Sequence, residues 1–187
     1  MTAPGIPNYI VGNWTLDTAH TEIGFSARHM MVSKVRGKFE KFTGSVTTAQ
    51  NPVDSTAEVE VDLSSITTGN DQRDNHLRSN DFFDAESDAK MTFRSTAIRA
   101  DGEDFAADGE LTIRGVTKPI TLKIEVGGFG PDPYGGTRAG FTATGVINRH
   151  DFGVSWNAAI EGGGVVIGDK VTINIEAELI LDQPAAS

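Results

Sequence analysis

Four histidines, each with a carboxylate nearby in the sequence, are the residues of this chain that could do acid–base or metal chemistry. They are His20, His29, His76 and His150, near Asp17, Glu40, Asp74 and Asp151 respectively. Their spacing forms neither His-x-His nor HExxH, and the chain has no cysteine that could complete a zinc site. We therefore predict no metal site, no cofactor and no catalytic residue, and interpret the imidazoles as structural or solvent-facing groups.

The densest polar stretch is Asp71-Gln-Arg-Asp-Asn-His-Leu-Arg-Ser-Asn-Asp-Phe-Phe-Asp84. Residues 70–80 predict a short helix, capped by Asn70 or Asp71 and supported by an i,i+4 pair between Asp74 and Arg78. Because so short a helix is marginal alone, we expect Leu77, Phe82 and Phe83 to anchor it. The carboxylates that follow, Asp81, Asp84, Glu86 and Asp88, indicate a solvated turn rather than a glycosidase-like acid and base.

Strand-like alternation dominates the rest of the chain. One strand sets Ala57, Val59 and Val61 against Glu58 and Glu60, and the same alternation recurs at 91–95, 105–113, 120–126, 139–147 and 171–181. Two or three more strands are expected within 14–16, 22–28 and 35–48. The alternation slips near Ala97-Ile98, which indicates a bulge, and Gly168-Asp169 predicts a two-residue hairpin joining 165–167 to the last strand.

About eight or more such strands can bury their apolar faces only as a sandwich or as a closed barrel, and the pattern does not choose between them.

The 187 residues predict one domain over 11–182, with flexible tails at 1–10 and 183–187. A formal charge of −10 argues against nucleic acid as a partner. No apolar run is long enough to span a membrane, and the start does not resemble a signal peptide, so we expect a cytoplasmic protein that is not integral to a membrane.

Several separated motifs give the chain a specific resemblance. Besides the 71–84 stretch, they are Asp17-Thr-Ala-His20, the segment from Phe25 to Phe42, Gly109-Glu-Leu-Thr-Ile-Arg-Gly-Val-Thr-Lys-Pro-Ile120 and Ile147-Asn-Arg-His-Asp-Phe-Gly153. In this order they resemble the YceI-like family of polyisoprenoid-binding, lipocalin-like proteins, roughly from Trp14 to Leu181. The resemblance implies an antiparallel barrel of eight or slightly more strands, with one or two short helices near its mouth. Its members are often exported, so a missing leader would make this protein periplasmic or secreted.

Lumen width decides the function, because an eight-stranded barrel is either filled by its own side chains or holds one small ligand. The predicted inward set mixes bulky Phe93, Phe105 and Phe141 with small residues, namely Ala57, Ala107, Gly109, Ala139, Ala143, Gly145 and Ala177. On pattern alone these small residues fit a pocket and the taper of a packed barrel equally well. The family resemblance favours a pocket that holds an isoprenoid or fatty chain.

We therefore predict non-catalytic binding, transport or storage of a long apolar ligand such as a polyisoprenoid, an isoprenoid quinone or a fatty amide. The side chains expected to contact it are Phe25, Met30, Met31, Phe42, Phe93, Phe141, Ile147, Phe152 and Trp156. The helix and the 148–164 loop are the expected lid, where Arg73, His76 and Arg149 either meet a polar headgroup or form a network that pins the lid.

Two alternatives stay open: an enzyme on an apolar substrate with His76 or His150 as base, and a ligandless, stress-related barrel with a filled core. An exposed edge strand would also allow a homodimer.

Overall fold

A computed structural model describes residues 5–30, 32–85, 89–157 and 167–183. Within these ranges the chain forms eleven strands and one α-helix. The strands are β1 (Gly12–Leu16), β2 (Glu22–His29), β3 (Ser33–Phe39), β4 (Phe42–Thr48), β5 (Thr56–Asp62), β6 (Ile66–Thr67), β7 (Lys90–Asp101), β8 (Asp104–Ile113), β9 (Val116–Pro131), β10 (Thr137–Asn148) and β11 (Ile167–Leu181). The helix is α1 (Asp71–Arg78), and short 3-10 turns occupy Pro52–Asp54, Leu63–Ser65 and Arg149–Phe152.

Eight of the strands close into an antiparallel barrel, which confirms the predicted fold class. The ring runs β1-β4-β5-β7-β8-β9-β10-β11 and is closed by pairing between β1 and β11. Closure works because β11 is long: its end, at Leu179 to Leu181, pairs with β1, while its earlier part pairs with β2. The strands β2, β3 and β6 therefore extend the sheet beyond the ring.

Local irregularities separate correct from incorrect strand predictions. The β7–β8 register shifts between Ser95 and Ala97, which confirms the predicted bulge. The predicted hairpin at Gly168-Asp169 is wrong, because both residues lie inside β11. Pairing of β11 with β2 instead shifts register between Ile167 and Val171, so the glycine marks a bulge in a continuous strand.

Two apolar clusters occupy the two ends of the barrel. One cluster, around Phe39, Ile66, Phe82 and Phe152, lies beneath α1, and we call this the helix end. The other, around Trp14, Phe129, Ala139 and Leu179, we call the far end. The strand β10 runs from one to the other, since Ala139 belongs to the far cluster and Ile147 packs on the helix-end cluster.

The chain start also contacts the far end. Ile6, Tyr9 and Ile10 pack on the far cluster, and the Tyr9 hydroxyl donates a hydrogen bond of 2.6 Å to the Ala49 carbonyl. The domain boundary at residue 11 stays a prediction.

The first residues of β3 leave one strand edge unpaired among the described strands, because β6 pairs only with Lys38 and Phe39. That edge carries exposed Lys34 and Arg36, and charged edges oppose pairing with another copy. The homodimer stays a prediction.

Candidate functional site

A cavity of about 780 Å³ occupies the barrel lumen. Its wall reaches from Tyr9 and Phe129 at the far end to Leu77 and Trp156 at the helix end, so it follows the barrel axis. Apolar side chains from every long strand form most of the wall, for example Phe93, Leu122, Phe141, Ile147 and Ile173.

The small inward residues divide into two groups. Glycines in this set are already covered, because a Cβ on Gly109 would lie 2.5 Å from the Phe93 ring and one on Gly145 would lie 2.7 Å from Leu122. Alanines leave the space open, and the cavity wall includes Ala57, Ala107, Ala143 and Ala177. Ala139 lies instead in the far-end cluster. The alanines therefore leave space for a cavity, which the sequence pattern alone could not distinguish from a packed barrel.

The helix α1 covers the helix end and is anchored to the segment before it. Its N-cap is Asn70, whose side-chain oxygen accepts a 2.9 Å hydrogen bond from the Arg73 amide, as predicted. The buried Asp74 carboxylate accepts hydrogen bonds from the Thr68 amide and hydroxyl. The Arg73 guanidinium donates to the same hydroxyl at 2.7 Å and to the Thr68 carbonyl at 2.9 Å. Thr68 thus links both side chains to the barrel.

The predicted ion pair between Asp74 and Arg78 is wrong. Arg78 points to the barrel, where its Nε donates to the Ser64 carbonyl at 2.8 Å and its Nη2 to the Ile66 carbonyl at 3.0 Å. An i,i+4 spacing permits a pair on an isolated helix. Here Asp74 and Arg78 each form hydrogen bonds with the chain beneath the helix instead, since buried polar groups require hydrogen-bond partners.

Arg149 is buried and pins the loop after β10. Its Nη1 donates to the carbonyls of Val154 and Trp156, both at 2.8 Å. Its Nε donates to Gly168 at 3.0 Å, and its Nη2 makes a longer 3.3 Å contact with Ile167. Burial lowers the pKa of the guanidinium, and the nearby Asp169 charge opposes that shift. These bonds give Arg149 the network role that was one of its two predicted functions.

An aromatic group closes the space between α1 and this loop. The His76 ring lies edge-on to Phe82 and to Trp156, with centroids 5.1 Å and 4.6 Å away. Its Nε2 forms a 2.8 Å hydrogen bond with Asp81. Phe82 is buried, while Leu77 and Phe83 pack half-buried on the same cluster, so all three predicted anchors hold the helix.

The cavity wall includes most of the predicted contact residues. Those on the wall are Phe25, Phe93, Phe141, Ile147, Phe152 and Trp156, together with Arg73, His76 and Arg149. Contact between any of them and a ligand stays a prediction. Met31 lies outside the described residues, as does the loop from 158 onward that was expected to complete the lid.

Two predicted contact residues are placed elsewhere. Met30 is 44% exposed, with a φ of 52°, because β2 ends at His29 and the chain turns there. Phe42 is buried in the helix-end cluster opposite Val61, away from the cavity wall.

The sequence reasoning missed His29, Tyr9 and Phe129 as wall residues. A signal for His29 existed, because it shares the inward face of its strand with Ile23, Phe25 and Ala27. Tyr9 was assigned to a tail, and Phe129 lies in the last part of β9, beyond the alternation recognised at 120–126.

Outside the cavity, Asp17, His20 and Glu178 are the one group of described residues close enough to hold a metal ion together. The Arg138 guanidinium already lies among them and donates to Asp17 at 2.6 Å and to Glu178 at 3.3 Å. Hydrogen bonds from Arg138 and His20 lower the pKa of Asp17 to about 2. A cationic side chain therefore neutralises these carboxylates.

The described helix α1 is too short and polar to cross a bilayer, and no other described helix meets the requirement.

A closed barrel with an apolar lumen and a helical cover defines a class of lipocalin-shaped domain. A model of the YceI-like domain matches residues 14–179, and the chain belongs to this family. The UPF0312 protein of Staphylococcus aureus strain bovine RF122 is 37% identical over 173 residues, which cover 91% of this chain and 99% of that protein.

Solved structures agree with this assignment. The Campylobacter jejuni YCEI protein is 31% identical, with a TM-score of 0.71 over 95% of this chain and 100% of that one. A domain from Saccharophagus degradans described as polyisoprenoid binding gives a TM-score of 0.67 at 17% identity, over 92% of this chain and 100% of that one. The latter likeness shows the fold alone.

Proposed function

We propose that this protein binds one long apolar molecule non-covalently in the barrel lumen, for transport or storage, and carries out no reaction on it. The observation that carries this proposal is the apolar cavity of about 780 Å³ between the two end clusters. Sites for small molecules typically occupy about 300 to 1,000 Å³ and have mainly apolar walls. A packed barrel of the same strand number would leave no such space.

The size of the cavity indicates the size of the ligand. If each carbon group takes roughly the 30 Å³ of a water molecule in the liquid, the lumen holds about 25 of them. An elongated, flexible chain of isoprene or methylene units fits this volume and the axial course of the wall. Each buried methylene contributes about 0.8 kcal/mol, so affinity would come mainly from chain length. The polyisoprenoid-binding description of the Saccharophagus degradans domain supports an isoprenoid among the candidates.

The polar groups at the helix end support a binding role over catalysis. Arg73, Asp74 and Arg149 use their hydrogen-bonding groups on the chain itself. His76 is the nearest candidate base, and its ring bonds to Asp81. Among the described residues, no serine, threonine or lysine side chain hydrogen-bonds to that ring, so the arrangement lacks an activated nucleophile.

Ala143→Trp tests the proposal. Ala143 is buried on the cavity wall in β10, so an indole there occupies space assigned to the ligand. We expect the variant to keep a near-normal thermal midpoint and to lose lipid that organic solvent extracts from the wild type. The matched control is Val146→Trp on the same strand, because Val146 is 60% exposed and points away from the lumen. This control should keep both stability and lipid.

A filled lumen predicts the opposite result. Overpacking would then cost about 1 to 3 kcal/mol, the thermal midpoint would fall, and the wild type would yield no lipid. That combination would refute the binding proposal.

A further inference from the structure

The β2–β3 hairpin ends in an exposed apolar tip. Val32 is 83% exposed and Met30 is 44% exposed, and the Val32 amide closes the turn by donating to the His29 carbonyl at 3.2 Å. Met30 has a φ of 52°, a left-handed conformation that usually selects glycine or asparagine. A long apolar side chain is thus held in water by a turn that does not require it.

The outer face of the same hairpin is basic. Arg28 lies directly opposite Lys34, and Arg36 follows opposite Ser26. Like charges in such cross-strand positions are destabilising. Within the described ranges, none of these three basic side chains has a carboxylate within 4.0 Å. The nearest acidic position on the adjoining strand is Asp169, which is bonded to His150.

The positive charge of this hairpin contrasts with the negative charge of the whole chain. From Arg28 to Lys41 the sequence has five Lys or Arg residues and one Glu, in a protein of formal charge −10. A negatively charged protein would be repelled by an anionic surface unless it presented a local basic patch.

The inner face of this hairpin forms part of the cavity wall. Phe25, Ala27, His29 and Val35 all line the lumen, and the exposed Arg28 also contributes to the cavity wall. The apolar tip and the basic face therefore adjoin the helix end of the cavity, where His76 and Trp156 also lie on its wall.

We propose that the β2–β3 hairpin docks on an anionic lipid bilayer, with Met30 and Val32 entering the headgroup region and Arg28, Lys34 and Arg36 over the lipid phosphates. This inference rests on the proposed function, since a membrane is the phase in which a long apolar ligand dissolves and from which it would be loaded. Apolar residues beside a polybasic face are the combination that binds such interfaces.

Two simpler explanations of the basic face account for only part of the hairpin's features. Charged residues on β3 protect its unpaired edge, but Arg28 lies on β2, which is paired on both sides, and edge protection does not require an exposed Met30 or Val32. A nucleic-acid site would explain the charges, but phosphate recognition gives no role to the apolar tip.

Vesicle co-sedimentation tests the proposal, using full-length protein with phosphatidylcholine vesicles and with phosphatidylcholine–phosphatidylglycerol vesicles. The wild type should bind the anionic vesicles, and less so as salt is added. Lys34→Gln/Arg36→Gln should weaken this binding about 30-fold, since each basic group near the surface contributes about five- to sixfold. Val32→Ser should weaken it about tenfold.

Matched controls carry the same changes elsewhere. Lys90→Gln/Lys123→Gln removes equal charge from exposed positions on other strands, and Tyr134→Ser removes an 89% exposed apolar side chain from the β9–β10 turn. Both should bind anionic vesicles like the wild type.

The proposal is overturned if the wild type does not bind anionic vesicles, or if the control variants lose as much binding as the hairpin variants. Aggregation of Lys34→Gln/Arg36→Gln with unchanged vesicle binding would overturn it in favour of edge protection. Lipid content, measured on the same preparations, keeps the two proposals separate: vesicle binding without extractable lipid would refute only the lumen ligand.

Discussion

Replacing Arg149 with methionine should detach the loop that covers the helix end. The variant keeps an unbranched apolar stem but removes four donated hydrogen bonds, to Val154, Trp156, Ile167 and Gly168. The carbonyl of buried Val154 would be left without a hydrogen-bond partner, which costs about 1 to 3 kcal/mol. The other three carbonyls can bond to water instead, because their residues are half-exposed. Burying the guanidinium is itself unfavourable, which offsets part of the loss.

We therefore expect the free energy of unfolding to fall by about 1 to 3 kcal/mol. Urea unfolding followed by far-UV circular dichroism gives this difference, and tryptophan emission should shift to longer wavelength as Trp156 leaves His76 and Phe82. The free energy of unfolding of Arg149→Lys should lie between those of the wild type and Arg149→Met. A lysine ammonium group is a single point charge and cannot reach all the carbonyls that surround the planar guanidinium group. Arg114→Met is the control, because Arg114 donates one exposed bond to the same loop, at Gly153.

One result would refute this reasoning. If Arg149→Met unfolds within about 0.5 kcal/mol of the wild type, the level of an ordinary surface change, Arg149 does not pin the loop. Loss of extractable lipid in that stable variant would assign it to a ligand headgroup instead.

Three further predictions follow from particular contacts. Leu77→Ala should cost about 1 to 2 kcal/mol, less than the 2 to 5 of a fully buried leucine, and amide exchange should rise over residues 70–84 while the strands stay protected; uniform loss of protection would show that α1 belongs to the global core. Arg138→Ala should lower stability at neutral pH, and the difference from wild type should shrink between about pH 4 and pH 2. The sign follows because Arg138 holds the Asp17 pKa near 2, below the ordinary 3.8, so the stabilisation is complete above pH 4 and is lost as the carboxylate protonates; a difference independent of pH would contradict it. Tyr9→Phe should lower stability by about 1 kcal/mol through loss of its hydrogen bond, and an unchanged thermal midpoint would show that this hydrogen bond contributes nothing to stability.

The strands were predictable because each has one face in the lumen or core and one in water. Glu58, Glu60 and their apolar neighbours alternate as the β5 register requires, and even the bulge near Ala97 left a visible slip in the pattern. The barrel itself came from the family resemblance, since alternation cannot tell a closed sheet from two stacked ones.

Local signals failed where tertiary contacts compete with them. Gly168-Asp169 has hairpin chemistry, yet β11 pairs with β2 on both sides of it, at Ile167 and from Val171, which keeps β11 continuous. Asp74 and Arg78 have helical pair spacing, but Thr68, Ser64 and Ile66 offer them partners from outside the helix. The volume of the lumen was beyond prediction, because it depends on whether a neighbouring ring covers each small residue.

The most direct test of the central claim is the lipid content of the gently purified wild-type protein. Organic extraction followed by quantitative mass spectrometry should yield close to one long-chain apolar molecule per protein, with a size near the 25 or so carbon groups that the lumen accommodates. A folded protein that yields no stoichiometric lipid, and takes none up when offered polyprenyl or fatty-amide ligands, would contradict the account.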